Sequence, residues 1–193
     1  MNFSSLKSRI LALIGRAPND LVYELVTADI NTELSLIQME ATTTLTEGAT
    51  VSLPSSFKRV VSLYRDADPR YALSPAGAAQ IEREYQSSGD PTRYAVVDGS
   101  LLLDRPGAGN SLSLRYISEL SDLSADGDEN DVLTKYPSIY VYGALAHHGA
   151  ITGDSRANGW TTKYEVEKKR AQKDSNTMRQ AGLPGAPTAR ATD

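Results

Sequence analysis

The hydrophobic pattern of this chain changes period twice, and that double change restricts the fold more than any single motif. Val22, Val26, Ile30, Leu34 and Ile37 recur at spacings of four, four, four and three. This is one apolar stripe on a helix of about five turns, which must pack against something. Asn19 is placed to cap its start, with Asp20 in the first turn. Ser5 to Ile14 reads as a shorter amphipathic helix, closed by Gly15 and the break at Pro18. At Ala41 the period drops to two. After Asp131 it returns to that of a helix, in the run KYPSIYVYGALAHHGAI from Lys135 to Ile151. Helical ends must therefore enclose a β middle.

Within the middle, Thr42–Thr46 and Ala49–Leu53 flank Glu47-Gly48, which predicts a two-residue hairpin. Phe57–Arg65 predicts a third strand. Ser74-Pro75 reads as an N-cap followed by proline at the first helical position, starting a short helix to about Gln86. Tyr94–Val97 and Ser100–Leu103 are joined by Asp98-Gly99, the strongest short hairpin signal in the chain. Ser111–Ile117 alternates, with Leu112, Leu114 and Tyr116 on one face. The expectation is about six short strands in antiparallel pairs with one inserted helix.

The second helical part starts at Tyr136-Pro137, where proline suits a first turn. Gly143, Ala144, Ala146 and Ala150 leave room for a neighbouring helix, and Tyr140, Gly143, Ala144 and His147 are the expected inter-helix packing residues. A polar helix should then run from about Ser155 to Met178. The end, QAGLPGAPTARATD, holds one large apolar residue, Leu183. By itself it cannot bury enough surface to offset the entropy of ordering it. The fold class is thus α+β: a helical bundle with an inserted antiparallel β-sheet region and an extended C-terminal tail. The segments are 1–40 (N-terminal helices), 41–120 (β region with a short inserted helix), 121–172 (C-terminal helices) and 173–193 (extended tail).

Charge narrows the partners. The net of −4 hides an asymmetry: residues 163–193 carry seven Lys/Arg against four Asp/Glu, and the remainder carries thirteen against twenty. An acidic body with a mildly basic tail lacks the concentrated basic face of a duplex-DNA reader. Apolar runs fall far short of the ~20 residues of a spanning helix. Lys7 and Arg9 precede a short apolar stretch, Ile10 to Ile14, without a small-residue cleavage site, so no targeting peptide is expected. With no cysteine, disulfides and thiolate chemistry are absent.

Enzyme chemistry finds little foothold. Adjacent helical positions point about 100° apart, so His147 and His148, the only histidines, cannot share one metal as an i, i+4 pair would. Asp126, Asp128 and Asn130 match the first three ligand positions of a calcium loop. The glycine and the bidentate acid that complete it are replaced by Asp131 and Pro137. Pro106–Ser111 is glycine-rich but lacks the Gly-Lys-Ser/Thr ending of a phosphate loop. No catalytic residue, metal or cofactor is expected.

In order, several segments resemble one family. INTELSLIQMEATTTLTEGATVSLPSSFKRVVSLY is followed by YALSPAGAAQIEREY, by RYAVVDGSLLLDRPG and by LSLRYISELSDLSADGDENDVLTKYPSIYVYGALAHHGAI. The ordered set, over roughly residues 15–165, resembles the head-to-tail adaptors of tailed bacteriophages, also called connector or head-completion proteins. The resemblance implies a structural, non-enzymatic virion protein, made in the host cytoplasm and sited at the portal vertex between head and tail. It further implies a ring, commonly of twelve copies, that contacts the portal on one side and a tail or nozzle protein on the other. Genomic DNA would pass through it without sequence-specific binding, and no membrane would be involved. Family members often insert a C-terminal segment into the portal. Here Arg179, Leu183, Pro184 and Arg190 are the candidate portal contacts: two cations for carboxylates, and an apolar anchor stiffened by proline. Extended at ~3.3 Å per residue, twenty such residues reach on the order of 65 Å. A tail-terminator or stopper ring is the alternative within the virion; a ligand-binding β module with helical flanks is the alternative outside it.

Overall fold

The computed structural model describes residues 1–181. The chain divides at Met39/Glu40 and again at Glu119/Leu120, so that one unit combines the N-terminal residues with those from Leu120 onward and the other is Glu40–Glu119. The architecture is α+β, as the pattern predicts.

In the helical unit, α1 spans Phe3–Ile14, capped by the Asn2 side chain, which accepts from Ser5 N, and ended by Gly15 in the left-handed conformation. Helix α2 spans Leu21–Glu33. It is shorter than the five turns its stripe suggests, because the backbone extends at Leu34 and only a single 3-10 turn, Ile37–Met39, follows. Leu36, rather than Ile37, is fully buried. Asn19 does not cap in the expected way: Asp20 is the boundary residue, and the Asn19 side chain accepts from Leu21 N. Where the chain re-enters this unit, Asn31 holds Leu120 by both its backbone N–H and its carbonyl, at 2.8 and 2.9 Å.

Helix α4 (Asp131–Lys135) is a short turn that precedes the Tyr136-Pro137 start. Helix α5 (Pro137–Thr152) follows, and α6 runs Ala157–Ala181. Residues 173–181 are therefore helical and do not belong to an extended tail. The reason is tertiary: Ser175 is fully buried and bonded to the Ile37–Met39 turn, which holds the last turns in register.

The β unit has eight strands in two sheets. Strands β1 (Glu40–Thr46), β8 (Ser111–Ser118), β3 (Phe57–Arg65) and β4 (Tyr71–Ala72) lie in that order in one. Strands β2 (Thr50–Ser52), β7 (Ser100–Leu103), β6 (Arg93–Val97) and β5 (Ser74–Pro75) form the other. Val51, Leu101, Leu103 and Tyr94 from one sheet join Leu63, Leu112, Leu114 and Tyr116 from the other in a single apolar cluster. This is the usual way for two half-buried sheets to hide their inner faces.

Two local expectations fail here. Glu47-Gly48 is not a hairpin: β1 pairs with β8 and β2 with β7, so these two residues carry the chain from one sheet to the other. Ser74-Pro75 does not start a helix but forms β5, parallel to β6, and α3 (Ala78–Glu84) starts after Gly77. By contrast Asp98 and Gly99 both have positive φ, 45° and 72°, as the tight turn between β6 and β7 requires.

Candidate assembly site

Helix α5 is hydrophobic nearly all round and buried on most sides, from Ile139 to Gly149. The lack of side-chain bulk at Gly143 sets its spacing. A Cβ built there would lie 2.9 Å from Val26 Cγ2 on α2 and 2.9 Å from Tyr164 Cε2 on α6. Gly149 repeats the device one turn and a half later, 2.9 Å from the Ala157 Cβ. Ala144 and Tyr140 are fully buried, and the Tyr140 hydroxyl accepts from Asn130 Nδ2 at 2.9 Å. Of the α5 residues singled out from sequence, Tyr140, Gly143, Ala144 and Ala146 are buried, His147 is half-buried and Ala150 is exposed.

The two histidines diverge. His147 places Nε2 2.8 Å from Asp29 Oδ2 on α2. A carboxylate only accepts, so the Nε2 atom carries the hydrogen. The Tyr164 hydroxyl donates to the same oxygen from 3.4 Å. Burial first, then the Asp29 carboxylate, raises the Tyr164 phenol far above its usual range and keeps it protonated. His148 is buried and its Nε2 accepts from Arg16 Nε at 3.1 Å, which assigns it the other tautomer. Burial, and the nearby Arg16 charge, lower its pKa below the usual 6.5.

Asp29 and His147 border a cleft of about 190 Å³ with Glu33, Glu165 and Lys168. Lys168 is buried, and burial alone would favour its neutral form. Glu165 and Glu33, at 2.7 and 2.6 Å, outweigh that and raise its pKa. Of the hydroxyls on the cleft wall, Thr161 donates to Ala157 O within its own helix and Tyr164 to Asp29. The Asp–His pair thus ties α2 to α5 rather than activating a nucleophile. Among the described residues no three His, Cys, Asp or Glu side chains are gathered to hold a metal ion.

The carboxylates and amide of the partial calcium-loop match, Asp126 to Asn130, are consumed by local structure. Asp128 accepts from the amides of Ser124 and Ala125, both at 2.8 Å, Asn130 caps α4 by accepting from Leu133 N, and Asp126 pairs with Lys7. None of these side chains turns toward a common cation.

Sequence reasoning missed the clasp at the end of α6. Gln172 accepts from Ser35 N at 3.0 Å, Ser175 Oγ accepts from Ile37 N at 3.2 Å, and Arg179 donates to Ser35 O at 2.7 Å. Four side chains, Lys168, Gln172, Ser175 and Arg179, line one face at spacings of four, three and four. That spacing was visible in the sequence, but a stripe of polar residues carries no hydrophobic signal. Of the residues proposed for the portal, Arg179 holds Ser35, while Leu183, Pro184 and Arg190 lie outside the described residues. Ile151, Val166 and Met178 on α5 and α6 stay large, apolar and exposed.

The β unit has its own hub. The Glu47 carboxylate is fully buried and pairs with Arg65 Nε, while its second oxygen accepts from Ala108 N at 2.9 Å and Asn110 N at 3.0 Å. The glycine-rich segment thus does cradle an anion, but the anion is the chain's own. Gly107 has φ of +74°, and a Cβ there would fall 2.3 Å from Glu47 Oε2. Asp90 completes the cluster, 2.6 Å from Arg65 Nη2.

A comparison with protein families finds one whose model, described as SU10 adaptor protein, matches residues 1–188. Comparison with curated proteins returned no match. No helix among the described residues is long and apolar enough to cross a membrane.

Proposed function

The chain belongs to the SU10 adaptor protein family of phage head-to-tail adaptors, and from that premise we propose how it works at the head–tail junction. It is a structural component that joins copies of itself into a ring, probed first at twelve subunits, between the portal and a tail or nozzle protein. DNA passes through the ring without being read. The acidic balance of the body supports this, because each phosphate neutralised by a cation would add affinity and retard passage.

The segment beyond Ala181 docks on the portal, with Leu183 and Pro184 as apolar anchor and Arg190 for a carboxylate. The family match across nearly the whole chain carries the reading. The clasp at Ser35 supports it physically, since a segment leaving a fixed helix end loses less freedom on docking than one leaving a frayed end.

The test is a chain ended after Ala181. A cut after Arg170 would remove Ser175 and Arg179 and confuse docking with folding. The shortened protein should keep its circular dichroism and melting temperature yet fail to join portal-bearing heads. Normal incorporation would rule out the docking, and electron microscopy of the full chain mixed with portal would count the copies.

A further inference from the structure

Among the described residues, strand β1 is hydrogen-bonded to a neighbouring strand on one side only. Its register with β8 is continuous from Glu40↔Ile117 to Thr46↔Ser111, without a bulge. The next pair in that register, Glu47 and Asn110, is joined by Glu47 N donating to Asn110 O. Hydrogen-bonded and non-bonded pairs alternate in an antiparallel ladder. Thr42, Thr44 and Thr46 are therefore the residues whose N–H and C=O point away from β8, and all three are exposed.

Open edges are normally blunted by lysine, proline, a bulge or a cover. Of the other edge strands, β5 has Pro75, and β2 and β4 are only three and two residues long. Glu40–Thr46 has no lysine, proline or bulge and is rich in threonine, which suits a strand.

We propose that, in the chain free of any larger assembly, this edge is closed by β1 of a second copy, antiparallel and centred on Thr44. Thr44 then faces Thr44 of the second copy, and Thr42 faces Thr46, each pair exchanging two backbone hydrogen bonds. In this register Glu40 falls opposite Gly48, and Glu47 opposite Ala41, so no like charges meet. Threonine pairs across strands are themselves favourable. The inference rests on neither the ring nor the portal contact.

Sedimentation velocity over a concentration series tests it with two charge variants. A glutamate at 42 is tolerated within the fold, since that position lies opposite Arg115. T42E/T46E sets glutamate against glutamate at both ends and should weaken the dimer by at least about tenfold. T42E/T46K sets glutamate against lysine and should restore it. A wild type that stays monomeric at all concentrations overturns the proposal. So does a dimer, or a larger species, that T42E/T46E leaves unchanged. Equal weakening by both variants would overturn the register.

Discussion

Gly143 meets the ring of Tyr164 so closely that α5 and α6 could not keep their separation with any larger residue there. The same glycine touches Val26, so one missing side chain sets the distances from α5 to both α2 and α6.

Gly143→Ala should therefore destabilise the helical unit. Alanine gains about 1 kcal/mol of helix propensity, but overpacking in a filled core costs about 1–3 kcal/mol. Since the clash is double, a net loss of about 1–2 kcal/mol is expected in urea unfolding.

Acid should weaken the β unit through Glu47. Burial raises its pKa, but the Arg65 bond and the amides of Asn110 and Ala108 prevail and leave it below 4.5. A carboxyl lowered on folding contributes stability in full above its unfolded pKa and loses it as pH falls through the folded value. Urea midpoints of the wild type should fall below about pH 4.5, and Glu47→Gln should flatten that part of the curve. At pH 7 the same variant leaves the buried Arg65 with only the exposed Asp90 as charge partner, and a loss of about 3 kcal/mol, the low end for breaking a buried pair, is expected.

His148 should titrate low. Its neutral form accepts from Arg16, and the proton that would charge it is opposed by burial and by that guanidinium. Its C2–H resonance should shift with a midpoint below 6.5, and Arg16→Ala should move the midpoint up. A histidine lowered on folding loses its contribution as pH falls from 6.5 toward the folded value, so the helical unit should soften in that interval.

Ser175→Ala should free the Ile37 amide. The hydroxyl is its acceptor in a fully buried position, and an unpaired buried donor costs about 1–3 kcal/mol. Hydrogen exchange at Ile37 should accelerate, and a chain ended after Gln172 should show the same effect more strongly than one ended after Ala181.

The sequence by itself determined what depends on neighbours a few positions apart. The helical stripe of α2, the alternation of β8, the Asp98-Gly99 turn and the proline start of α5 are all set by local geometry. The close packing at Gly143 was also legible, because a small residue on an apolar helix has few other uses. The order of the motifs carried the family.

Only the tertiary structure decided pairings between distant segments. Glu47-Gly48 has the chemistry of a hairpin turn, yet Arg65 and the amides near Gly107 draw the Glu47 carboxylate inward, and β1 and β2 part to separate sheets. Ser74-Pro75 would cap a helix in isolation, but the edge of β6 claims it as a strand. The end of α6 persists because Ser35 and Ile37, more than 130 positions earlier, supply its partners. Such partners contribute nothing to local pattern: a buried polar group is stable only where a distant segment completes its hydrogen bonds, and that meeting exists only in the folded chain.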